Sequence, residues 1–130
     1  MTKKLNCILL VDDDDGTNFL HTMVIEDANI VENILVALDG EEALEIIINV
    51  ENKYPKPDLV FLDINMPRMN GWEFLEELHK IDKQKPLIIV MLTASLNPDD
   101  LKRAEAIPDI KYFKNKPLNL KMLEEIVIGL

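Results

Sequence analysis

Four short apolar runs, Cys7–Val11, Ile34–Ala37, Leu59–Leu62 and Leu87–Leu92, with a fainter one at Ile110–Phe113, constrain this chain more than any other feature. Each is too short for a helix and lacks clean apolar–polar alternation, so both faces of each segment must be covered. They are predicted to be strands of a parallel sheet. Between them lie apolar residues at helical spacing: Phe19, Leu20, Met23 and Val24; Ala43, Leu44, Ile47 and Ile48; Trp72, Leu75 and Leu78; Leu101 and Ala104; and Leu120, Leu123, Ile126 and Val127. Five strand–helix units of this kind predict an α/β doubly wound sheet with helices on both faces. In such a sheet ligands bind beyond the carboxyl ends of the strands.

Helix starts are signalled locally. Asp39 with Glu42 reads as an acidic capping box, and Asn97-Pro98-Asp99-Asp100 gives a cap, a first-turn proline and acidic residues in the favoured order. The stretch Asn49–Pro57, with Tyr54-Pro55-Lys56-Pro57, cannot continue a helix and reads as a loop. A chain of 130 residues suits one domain, able to bury about two thirds of its unfolded surface without a metal or disulfide staple. Its net charge of −10 repels phosphate backbones and anionic lipid, which argues against nucleic-acid and membrane partners. No apolar stretch is long enough to span a bilayer. The single cysteine, Cys7, lies inside an apolar run and reads as a buried thiol in a reducing cytoplasm. His21 and His79 read as solvated or half-buried helix residues, and Trp72 as packing.

The residues at the strand ends carry the chemistry: Asp12 and Asp13 after the first, Asp63 after the third, Thr93 after the fourth and Lys116 after the fifth. Carboxylates crowded at one sheet edge raise one another's pKa unless a cation holds them ionised. Oxygen donors without a His or Cys cluster favour a hard ion over zinc, and Mg²⁺ suits best. Singly, each residue has an ordinary explanation, as a helix cap, a turn residue or a surface lysine. Their types and their recurrence at four of the five strand ends give the set its meaning.

With those residues in view, the chain resembles the receiver domain of two-component response regulators, chemotaxis-regulator-like, over nearly its whole length. The resemblance rests on ILLVDDDD at residues 8–15, ALDGEEAL at 37–44, DLVFLDINMPRMNGWEFL at 58–75, VMLTAS at 90–95 and FKNKPL at 113–118. It implies a single (βα)5 receiver domain over 1–130, with no effector domain visible, strand order 2-1-3-4-5 and a flavodoxin-like three-layer sandwich. It implies that Asp63 takes a phosphoryl group from the phosphohistidine of a sensor histidine kinase or a histidine phosphotransfer protein, and later loses it by self-catalysed hydrolysis. Asp13, Asp63 and the backbone carbonyl of Asn65 would ligate Mg²⁺, with Asp12 acting through water. Thr93 and Lys116 would bind the phosphoryl group, Thr93 and Phe113 would form the switch, and Pro117 would follow a cis peptide bond. The signal would leave for a downstream target through the face of the fourth helix, fifth strand and fifth helix. Such a domain is a cytoplasmic signalling module, not an enzyme in the ordinary sense.

Two departures from the family pattern stand out. Phe113 occupies a position where tyrosine is frequent, with Tyr112 beside it, and residues 46–57 look longer than in compact relatives, as an extended helix or a protruding loop. Asn65 and Ser95 flank the site and would tune water access. Two other readings stay open. Asp13-Asp14-Asp15-Gly16-Thr17 also spells the nucleophile motif of haloacid-dehalogenase phosphatases, which would put the phosphoryl group on Asp13 and leave Asp63 unexplained. An interaction-only, receiver-like module is the other.

Overall fold

Each predicted run forms a strand, and most extend beyond the apolar signal. The computed structural model describes residues 4–49, 54–81, 87–94 and 97–130. Its elements are β1 (Leu5–Val11), α1 (Asp15–Ala28), β2 (Val31–Ala37), α2 (Gly40–Ile48), β3 (Leu59–Leu62), α3 (Gly71–His79), β4 (Ile88–Thr93), α4 (Pro98–Glu105), β5 (Ile110–Asn115) and α5 (Leu120–Ile128). The strands pair in parallel in the order β2-β1-β3-β4-β5, the expected (βα)5 flavodoxin-like arrangement.

The unbroken apolar runs follow from burial on both sides. Ile8 and Leu10, Leu59 and Phe61, and Val90 and Leu92 pack with Ile25 of α1 and Leu123 and Ile126 of α5. Their neighbours Leu9 and Val11, Val60 and Leu62, and Ile89 and Met91 pack on the other face with α2, α3 and Ala104 of α4. Period-two alternation therefore sorts side chains between two cores rather than between core and water. At the sheet edges the signal fades: β2 begins at Val31, opposite Leu5, although Glu32 and Asn33 are exposed. Exposed Lys111 and Asn115 likewise place polar groups on the β5 edge, where they discourage pairing with another chain.

Every helix starts at an Asx cap. Asp14 accepts from the Thr17 amide, Asp39 from Glu42, Asn70 from Glu73, Asn97 from Asp99 and Asn119 from Met122. Each such cap contributes about 1 kcal/mol and sets where a helix begins. At α2 the reciprocal arm of the expected box reaches Leu38: the Leu38 amide donates to the Glu42 carboxylate at 3.0 Å. The α2 helix stops at Ile48, so no extended second helix occurs among the described residues, and positions 50–53 of the expected loop lie outside them.

The phase of α1 departs from expectation. Phe19, Leu20 and Met23 are 66%, 57% and 45% exposed, and the buried face is instead Asn18, His21 and Ile25. The Asp14 cap and a hydrogen bond from the Asn18 side-chain amide to the Asp12 carbonyl (2.9 Å) fix the rotation of the helix. His21, expected to be solvated or half-buried, is 3% exposed, and its Nε2 accepts the Leu118 amide at 3.1 Å. Trp72 is buried as expected, but the Arg103 guanidinium of α4 stacks over its ring at 4.6 Å and reaches Glu76 at 3.6 Å. Among the described residues no helix is long and apolar enough to cross a membrane.

Candidate functional site

The carboxyl ends of β1 and β3 are adjacent in the sheet, so the residues that follow them are brought together by pairing alone. The Asp12 amide donates to the Ala37 carbonyl (3.1 Å) and the Asp63 amide to the Val11 carbonyl (2.9 Å), carrying the ladder one residue past the ends of β1 and β3. One carboxylate oxygen each from Asp12, Asp13 and Asp63 lie within 4.8 Å of one another. Asp12 and Asp63 are buried, while Asp13 is exposed at the mouth. Lys116 follows β5 and crosses to this group, its Nζ 2.5 Å from Asp12 and 3.4 Å from Asp63.

Thr93 ends β4, buried, and its carbonyl accepts the Lys116 amide at 2.7 Å, which ties the lysine backbone to the fourth strand. The Lys116–Pro117 peptide bond is cis, as the resemblance implies. Phe113 lies half-buried in the core that includes Ala104 of α4, and Tyr112 in the core on the α1–α5 face. Asn65 is exposed in the loop between β3 and α3, and Ser95 lies outside the described residues.

Burial pushes the Asp63 carboxyl up, Lys116 opposes the shift, and the charge of Asp12 adds to it. Burial alone would depress the Lys116 ammonium, but its hydrogen bond to Asp12 and the charge of Asp63 outweigh that and push it up. An Asp63 raised above its ordinary value of 3.8 contributes stability that is fully present below that value and lost as pH rises through the folded one. Ionised Asp63 thus strains the cation-free protein at neutral pH. The expected outcome is that Asp63→Asn raises the cation-free Tm at pH 7 by a few degrees, with the gain shrinking as pH falls through the raised pKa. Thermal unfolding of parent and variant at pH 7 and at acid pH checks it, and a Tm for Asp63→Asn at or below that of the parent at pH 7 would refute it.

The donor set fits a hard divalent cation: all candidate side-chain ligands are carboxylate oxygens, and two are withdrawn from water with one lysine to share. Behind them, Asn18 and His21 join Asp12 and Asp63 around a small cavity walled by Leu10, Phe61 and Leu92. Neither Asn18 nor His21 was singled out by the sequence as part of the site. Their only signal is that both stand on the α1 face opposite the exposed apolar residues. Arg68 was also missed: its guanidinium grips the carboxylate of Asp39 from the loop after β3.

A sequence profile of the response regulator receiver domain matches residues 8–128. Response regulator Rcp1 of Synechocystis sp. is 30% identical over 95% of this chain and 84% of its own length. The solved Mn²⁺-bound form of Rcp1 has a TM-score of 0.76 at 29% identity, covering 95% of this chain and 90% of that one. A two-component response regulator from Cytophaga hutchinsonii has a TM-score of 0.86 at 34% identity, covering 98% of this chain and all of that one. The phosphorylated cyanobacterial phytochrome response regulator RcpA has a TM-score of 0.76 at 28% identity, covering 96% of this chain and 90% of that one.

Proposed function

This chain belongs to the response regulator receiver domain family, and from that premise we propose that Asp63 is its phosphoacceptor, charged by the phosphohistidine of a sensor histidine kinase or a histidine phosphotransfer protein. The observation that carries the proposal is the triad of carboxylates within 4.8 Å of one another, two of them in contact with Lys116. In the transfer an Asp63 oxygen bonds to phosphorus as the phosphorus–nitrogen bond breaks, and the departing imidazole nitrogen keeps the electron pair and takes a proton.

A carboxylate attacking a phosphoryl group brings one anion against another, so positioning and countercharge supply most of the catalysis. Asp12, Asp13, Asp63 and the Asn65 carbonyl would hold Mg²⁺, and the chemistry supplied by the bound ion is neutralisation and orientation of phosphoryl oxygens. Lys116 would donate a charge-assisted hydrogen bond to a phosphoryl oxygen, and Thr93 would turn its hydroxyl to another. Hydrolysis of the acyl phosphate by water returns the carboxylate and releases inorganic phosphate. The Mn²⁺-bound Rcp1 and phosphorylated RcpA structures are in keeping with this chemistry.

Thr93 and Lys116 share a backbone hydrogen bond, and Phe113 packs beside α4. Recruiting Thr93 and Lys116 to a phosphoryl group would therefore bias the α4–β5–α5 face, through which a target is addressed. A nearly complete switch takes about 5.5 kcal/mol of differential stabilisation, within reach of several charge-assisted bonds in a partly dry site. The net charge of −10 argues against nucleic acid as a direct partner, and a cytoplasmic location belongs to the same proposal.

Intact-mass analysis after incubation with acetyl phosphate and Mg²⁺ tests the proposal. One phosphoryl adduct is expected, absent when a chelator replaces Mg²⁺. No adduct from acetyl phosphate, and none from a phosphorylated histidine kinase, would leave an interaction-only domain.

A further inference from the structure

The loop after Asp63 is fastened at two levels. At its base the Gly71 amide closes onto the Ile64 carbonyl at 2.8 Å. At its apex Arg68 and Met69 are held to the start of α2: Arg68 Nε donates to Asp39 at 2.7 Å, a second guanidinium nitrogen bonds the same oxygen, and the Gly40 amide donates to the Met69 carbonyl at 3.1 Å. Arg68 takes a left-handed backbone conformation, φ 62°, which a non-glycine residue adopts only when its surroundings demand it. Asp39 is 1% exposed and already caps α2, so its second oxygen would be a buried charge without the guanidinium. Glu41 and Glu42, each 3.7 Å from the guanidinium, complete a negative cradle for it.

We propose that the Arg68–Asp39 pair is a positioning device that holds the loop, and with it the Asn65 carbonyl, in the shape that receives the divalent cation. This rests on the cation site proposed above and adds a determinant of its affinity that touches neither cation nor phosphoryl group. The physical reason is preorganisation. A seven-residue connection from Ile64 to Asn70, pinned at base and apex, need not be ordered by the ion, so its ordering cost is not subtracted from binding. Groups hydrogen-bonded directly to metal ligands commonly set affinity by about 10- to 100-fold, and a pair acting one step further out is expected at the lower end of that range.

Two substitutions remove the pair while keeping a side chain that the loop backbone and the helix cap each accept. Arg68→Asn places a residue that tolerates the left-handed region, and Asp39→Asn keeps a good helix cap. Titration calorimetry with Mg²⁺ on the whole chain, at a temperature where every form is folded, reads the affinity, and thermal unfolding without the ion reads stability. Each single variant is expected to bind Mg²⁺ about tenfold more weakly, and the double variant no more weakly than either single one, because the pair acts as a unit. Affinities within about twofold of the parent, with or without a loss of Tm, would reduce the pair to a structural tie and overturn the proposal, as would fully additive losses. If the parent shows no saturable Mg²⁺ binding, the cation site itself falls and the positioning role falls with it.

Discussion

Asp63→Asn is expected to remove the phosphoryl adduct completely, while Asp13→Asn retains a slow, cation-starved trace of it. The amide is isosteric but has no anionic oxygen to form the acyl phosphate, so no residual rate survives. Asp13 is exposed at the rim and holds no contact with Lys116 in this structure, so its loss weakens cation retention without deleting the acceptor. Intact-mass analysis of the two variants side by side decides the matter. Labelling that persists in Asp63→Asn and vanishes in Asp13→Asn would move the acceptor to Asp13 and favour the phosphatase reading. Asp63→Asn is also expected to gain stability, because the carboxylate it removes is held above its ordinary pKa by burial. Chemistry and stability would then pull in opposite directions at a single position, as expected where a site is built for reactivity.

Gly71→Ala is expected to be among the most damaging single-methyl changes in the chain. An added Cβ would lie 2.5 Å from the Asp63 carbonyl oxygen and 3.1 Å from the Ile64 Cα, and both are backbone atoms that no rotamer change can move aside. The loop must open or α3 must shift, breaking the Gly71–Ile64 hydrogen bond. Overpacking of this kind costs about 3 kcal/mol, which for a domain of this size is a fall in Tm of roughly 10 °C. Because the clash is with the backbone of Asp63 itself, Mg²⁺-dependent phosphoryl uptake should fall together with Tm. Unfolding scans and adduct formation measured on the same preparation check both, and a variant that keeps parental values of the two would show that the loop yields more readily than its contacts indicate.

The sheet was legible because its central strands are buried on both faces, so Leu59–Leu62 emerges with the bounds its apolar run predicts. Edge strands were less so. Nothing in Val31-Glu32-Asn33 marks a strand except a partner across the ladder, and the polar end of β5 is strand only because β4 pairs with it. The convergence of Asp12, Asp13, Asp63 and Lys116 could be read from strand ends because parallel topology sends every strand end to the same edge. Interactions that join distant segments without a periodic signature could not. Arg68 and Asp39 are 29 residues apart, His21 and the Leu118 amide 97, and neither pair announces itself in composition or spacing. The phase of α1 was misread for a related reason: its loudest apolar residues point outward, and a buried asparagine and histidine take the inner positions.

The stacking of Arg103 on Trp72 has an optical consequence. The chain has one tryptophan, its indole belongs to α3, and the cation over its face is carried by α4. A guanidinium on the ring face alters the excited-state dipole's surroundings, so emission colour and intensity depend on where α4 stands. Displacing α4 would lift the charge from the indole and change its fluorescence, giving the unlabelled protein an intrinsic gauge of the helix beside Phe113.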